Sequence, residues 1–193
     1  KSDDNKIFRH PFKIKYLEWS NLYCYENKNY IDFESTYRNT FLISGSNGTG
    51  KSAIYDILVL AIWGDITTNK QNPLSAGVIN HKHDNAYTII DIISGNNVYR
   101  IKRNFSALPN KHTLNKQRIL FYKNNVVHKK DNACTEEIIK ITGTLEEFLA
   151  SSMITQNVDY DILKMNYKDC LSMIDKATNI DYVYNLYTLF KGC

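Results

Sequence analysis

The eight residues Gly45-Ser46-Asn47-Gly48-Thr49-Gly50-Lys51-Ser52 restrict this chain more than any other stretch. They fit the pattern G-x-x-x-x-G-K-[ST], in which glycines let the backbone curl so that successive N–H groups point inward at phosphate oxygens. Bulky side chains would block that approach. Lys51 is placed to reach β- and γ-phosphates as a positive charge, and Ser52 to offer its hydroxyl to Mg²⁺. The candidate nucleotide-binding residues are therefore Ser46, Asn47, Gly48, Thr49, Gly50, Lys51, Ser52 and Ala53, with ATP and Mg²⁺ as expected ligands. The competing reading, a glycine-rich turn with an incidental Lys-Ser, is weakened by what flanks it.

Before the loop, Phe41-Leu42-Ile43 is apolar at consecutive positions, which predicts a central strand covered on both faces. After it, Ile54, Ile57, Leu58 and Ala61 recur at helical spacing as far as Trp63, and Gly64 supplies a stop. Strand, loop and helix in succession give an α/β fold class. Phe12, Ile14 and Tyr16 alternate with Lys13 and Lys15, predicting a strand over 12–19 with a partner at 30–33. Two antiparallel hairpins are expected: 87–93 with 98–103 around Gly95-Asn96-Asn97, and 119–123 with 126–129 around Asn124-Asn125. Thr144 and Glu147 form a capping box ahead of Leu145, Phe148 and Leu149. Asn166 and Asp169 are further helix starts, and Leu171, Ile174, Ile180, Val183, Tyr184 and Tyr187 suggest helices beyond.

With 193 residues, 43% of them hydrophobic, the chain has material for a sizeable core. A net charge of +4 permits contact with nucleic acid without establishing it. Arg100, Lys102, Arg103, Lys111, Lys116, Arg118, Lys123, Lys129 and Lys130 lie on or near the hairpins and are candidate DNA contacts, against the plainer reading of a solvated face. The four cysteines, Cys24, Cys134, Cys170 and Cys193, form no Cys-x-x-Cys pair, so neither a zinc site nor a disulfide framework is suggested and a reducing compartment is expected. The longest apolar run, 57–63, is too short to cross a membrane, and the polar start lacks the apolar centre of a signal peptide. An intracellular location follows as the expectation.

Three blocks in order carry a resemblance over most of the chain: Asn21-Leu22-Tyr23-Cys24 before Ile31-Asp32-Phe33; Leu42-Ile43-Ser44 running into the phosphate loop, then Ile62-Trp63-Gly64; and Ser152-Met153-Ile154-Thr155-Gln156. Together they resemble the amino-terminal half of an SMC-like ABC ATPase head. Val78-Ile79-Asn80, the run Tyr99-Arg100-Ile101-Lys102-Arg103, and Asp161-Ile162-Leu163 after Gln156 are most similar to the double-strand-break repair branch. That branch comprises SbcC, its Rad-fifty relatives and the large subunit of the T-even phage recombination nuclease.

The resemblance implies a lobe over 1–165, with 166–193 leading to a coiled coil. It implies that Gln156 joins Ser52 around Mg²⁺ and orients water near the γ-phosphate, so that Lys51 and Gln156 are the catalytic candidates. Where the family usually has Asn-Phe-Arg-Ser, this chain has Asn21-Leu22-Tyr23-Cys24; the arginine that approaches nucleotide is missing, and Tyr23 and Cys24 take its place in the candidate site.

Two look-alikes fail on context. Leu74-Ser75-Ala76-Gly77 imitates an ABC signature but follows the helix too closely and beside Asn72-Pro73 reads as a loop. Ile89-Ile90-Asp91-Ile92-Ile93 imitates a Walker B strand but lacks the following glutamate, and reads as part of a hairpin. The resemblance places the true signature and the Walker B pair in a carboxy-terminal half-head, so the chain resembles a fragment that hydrolyses ATP poorly by itself. In the family, ATP joins two heads and hydrolysis separates them, changing access of DNA to an Mre-eleven or SbcD-type nuclease, in nucleus, nucleoid or cytoplasm. The expected partners are thus that half-head, a second copy, the nuclease and DNA, with no membrane. The alternatives are an SMC or RecN-like head that tethers or organises DNA and, behind it, a small-molecule kinase.

Overall fold

The computed structural model describes residues 10–35, 40–65, 77–107, 114–152, 166–168 and 171. Alternation of apolar and polar side chains builds a six-stranded antiparallel sheet of β1 (Phe12–Ser20), β2 (Lys28–Asp32), β3 (Asn85–Ser94), β4 (Asn97–Ala107), β5 (Leu114–Lys123) and β6 (Val126–Lys130). Their order across the sheet is β2-β1-β3-β4-β5-β6. The expected partner of β1 is present, shifted to Lys28–Asp32, and both expected hairpins form. The β5–β6 turn follows from Asn124 and Asn125, whose φ of 50° and 66° are the left-handed values a two-residue hairpin requires and asparagine tolerates.

One face of the sheet is apolar. Register places Leu17, Ile90, Ile101 and Phe121 in one row across four strands, and Trp19, Thr88, Arg103 and Ile119 in the next. Helix α1 (Lys51–Trp63) buries Ile57, Leu60, Ala61 and Ile62 in this core, and α2 (Ala133–Thr142) adds Cys134 and Ile138. On the other face, Tyr16 and Tyr87 donate to the Glu18 carboxylate at 2.5 and 2.9 Å and Lys28 pairs with it at 3.0 Å. Asp91 is held there by Arg100, whose Nε and Nη2 both donate at 2.6 Å. Asp91 is thus a hairpin residue in an ion pair, as its lack of a following glutamate suggests.

One expectation is overturned. Phe41-Leu42-Ile43 forms neither strand nor bridge, and these residues are 38%, 91% and 47% exposed. A central strand needs a neighbour on each edge, and every described strand has its partners within the antiparallel sheet.

Arg9–Ile141 forms one compact unit, and the described residues from Thr142 onward belong to a second. In that second unit α3 (Leu145–Ser152) begins with the expected capping box, Thr144 N–H donating to Glu147 Oε2 at 3.0 Å and Glu147 N–H to Thr144 Oγ1 at 3.2 Å. Tyr167, Lys168 and Leu171 are helical; Asp169 and the apolar positions after Leu171 lie outside the described residues. Among the described residues no helix is long and apolar enough to cross a membrane.

Candidate nucleotide site

The loop is shaped by its glycines. Gly48 and Gly50 hold φ of 80° and 91°, and a Cβ on Gly50 would lie 2.3 Å from Cys24 Sγ, so at that position a side chain has neither the backbone nor the room. Gly50 is the N-cap of α1, and no side chain bonds to the helix's first amides. Those N–H groups and the positive end of the helix dipole therefore face the loop, with no acidic residue in the first turn to oppose an anion.

Lys51 folds back over the loop, its Nζ donating to Gly45 O at 2.7 Å and Ser46 O at 2.6 Å. Thr49 Oγ1 donates to Ser46 O at 2.8 Å, closing the curl. Ser52 is exposed beside Lys51 in the first helical turn, with Ala53 after it. A cation on the rim, uncapped amides below and a hydroxyl at the edge fit a polyphosphate, with Ser52 as one oxygen ligand for Mg²⁺.

The segment 21–25 buttresses this loop from outside. Asn21 and Tyr23 have φ of 58° and 53°. The turn is strapped by Tyr23 N–H to Val78 O, Asn80 N–H to Asn21 O, and Asn80 Nδ2 to Tyr23 O, all at 2.8–2.9 Å. Two blocks distant in sequence, 21–23 and 78–80, are thereby joined, with a bridge between Leu22 and Ile79. Cys24 lies against the loop, Sγ contacting Thr49 O at 3.9 Å. The Tyr23 hydroxyl is buried, and burial with Asp56 nearby raises its pKa. Tyr25, which sequence reasoning missed, donates its hydroxyl to Gly50 O at 3.2 Å and meets Trp19 edge to face.

A family model for an AAA domain matches residues 16–181. The chain belongs to this AAA-domain family. The match supports an ATPase of the SMC-like type, and within it the amino-terminal region that holds the phosphate loop. No curated protein matches the chain.

Within this AAA domain the basic candidates separate. Arg103 is a correction: it is 3% exposed, and its Nε and Nη2 donate to Ala61 O at 2.9 Å and Ile62 O at 2.5 Å, so it is closed to any phosphate. The signal was the run Ile101, Arg103, Phe105, which by strand alternation shares the apolar face. Arg100 is engaged with Asp91, while Lys102, Arg118 and Lys130 occupy the opposite face by register. Lys123 and Lys129 pair in register with Tyr99 and Phe121, and Lys116 lies within β5. Lys111, Gln156 and residues 74–76 of the signature look-alike lie outside the described residues.

Proposed function

We propose that this chain is the amino-terminal half of an ATPase head that binds Mg·ATP and serves double-strand-break repair or recombination. The observation that carries the reading is the loop 45–52, with Lys51 folded over its carbonyls at the uncapped start of α1. Lys51 would draw the β- and γ-phosphates, the loop amides would cradle them, and Ser52 with Gln156 would hold Mg²⁺, whose charge offsets that of the phosphates when it is bound. Water activation needs a carboxylate that the loop does not provide, so a carboxy-terminal half-head completes the site and the chain alone turns over slowly.

The exposed flank supports that second half. Leu42 and Ile43 line an open cleft of about 540 Å³ with Trp19, Tyr25 and Tyr30, at the root of the phosphate loop. Apolar residues left open beside a functional loop are suited to a covering element. In the whole protein, ATP joins two heads and its hydrolysis releases them, gating DNA for a partner nuclease; Lys102, Arg118 and Lys130, which share the sheet face away from the apolar core, are the DNA candidates. The test uses the full-length protein: Mg·ATP should convert it to a dimer and an Mre-eleven-type nuclease should co-purify. Dimerisation without nuclease association would favour a DNA-tethering SMC or RecN-like role.

A further inference from the structure

We infer that Arg103 is a positioning residue for the phosphate loop, acting from the opposite end of the helix that carries it. This rests on the nucleotide reading above. Helix α1 starts at Lys51 and ends at Trp63, about 20 Å at 1.5 Å per residue. Its buried apolar side chains, among them Ile57, Leu60 and Ile62, join the core cluster through apolar contacts. Such contacts set the depth of a helix but are non-directional, and so fix its slide and tilt weakly.

Directional contacts stand at both of its ends. At the loop end the Tyr25 hydroxyl bonds Gly50 O. At the far end, Gly64 N–H closes on Leu60 O, and the Arg103 guanidinium spans the next two carbonyls, those of Ala61 and Ile62. These are orphan acceptors at the negative end of the helix dipole, where a cation is favoured. A planar fork reaches both at once, which a lysine ammonium cannot do with the same geometry. Arg103 stands on β4 between Lys102 and Asn104 and opposite Thr88 and Ile119. Strand β4, one of the two middle strands, therefore grips the helix by its backbone and fixes where Lys51 and Ser52 stand in the loop. Burial depresses the Arg103 pKa to about 10, so it remains a cation at neutral pH.

Once the grip is lost, the helix shifts on its apolar bed and displaces Lys51 and Ser52 together with the amides of its first turn, while the curl over 45–49 remains. Mg·ADP and Mg·ATP share those amides, the metal and the β-phosphate, whereas ATP alone adds a γ-phosphate, which the Lys51 ammonium must also reach. Arg103→Met should thus weaken Mg·ATP about tenfold and Mg·ADP less than about threefold, since a misplacement near 1 Å is costly in such sites. Arg103→Lys should fall between. Gly64→Ala reaches the same contact from the helix side, because its Cβ would lie 2.7 Å from Arg103 Nη1.

The experiment is calorimetric titration of the wild-type chain and the three variants with Mg·ATP and Mg·ADP, with circular dichroism and melting on each. A variant that merely lowers the folded fraction reduces both affinities by one factor. A fall in the ATP-to-ADP affinity ratio in Arg103→Met and Gly64→Ala supports the inference. If Arg103→Met does not fold, Arg103→Lys and Gly64→Ala decide it. An unchanged ratio in the folded variants, with wild-type binding intact, overturns this inference alone; no Mg·ATP binding by the wild type overturns it together with the nucleotide reading.

Discussion

At the residue scale the site depends on a fit between two small groups. Gly50 has a left-handed φ of 91°, and Cys24 Sγ occupies the space where its Cβ would go. Gly50→Ala meets both obstacles and should cost about 2 kcal/mol of stability, within the 1–3 kcal/mol typical of a residue held in a disfavoured backbone region. In a Cys24→Ala background the steric part is relieved while the backbone part remains, so the same substitution should cost measurably less. Urea denaturation of the four chains of that cycle checks the difference, and equal costs in both backgrounds would remove Cys24 from the account. The loop was legible in the sequence because each glycine has a mechanical reason there. The inward Tyr23 hydroxyl and the Tyr25 bond to Gly50 were not, because they depend on the turn that 78–80 straps in place.

At the scale of elements, the sheet was readable where its information is local. Alternation gave β1, the β-rich runs flanking Gly95-Asn96-Asn97 gave β3 and β4, and Asn124-Asn125 gave the β5–β6 turn. The apolar run Phe41-Leu42-Ile43 misleads because a strand exists only with neighbours to bond, and an apolar tripeptide does not say where those neighbours are. The polar face of the sheet carries its own prediction. Burial pushes the Glu18 carboxyl up, but the hydroxyls of Tyr16 and Tyr87 and the Lys28 ammonium outweigh it, so its pKa stands below the usual 4.5. The folded chain thus holds the ionised form more tightly than the unfolded chain does. That stability is complete above pH 4.5 and is lost as pH falls from there through the lower folded-state value. Glu18→Gln should cost about 2 kcal/mol near neutrality, in the range for hydrogen bonds to a charged group, and should flatten this acid slope. Urea midpoints across the acid range measure both; a slope unchanged in Glu18→Gln would assign it to other carboxylates.

At the scale of the whole molecule, the core and the exposed flank make opposite predictions. Phe105 is 2% exposed within the core, and Phe105→Ala should cost about 3–5 kcal/mol. Leu42 is 91% exposed, so Leu42→Glu should change the stability of this chain by no more than about 0.5 kcal/mol. It should nevertheless abolish co-purification with the proposed carboxy-terminal half when the two are expressed together; retained association would show that this flank is not the covered face. The family match extends over residues 16–181, the α/β architecture over the described sheet and helices, and the nucleotide claim over eight residues at the start of α1. The most direct measurement is calorimetric titration of the chain with Mg·ATP beside Lys51→Ala. The account predicts saturable one-site binding that weakens about 100-fold in the variant, as expected for the loss of one charge-assisted bond, with the circular dichroism spectrum unchanged. Equal affinity in the two chains, or no binding by the wild type, would contradict it.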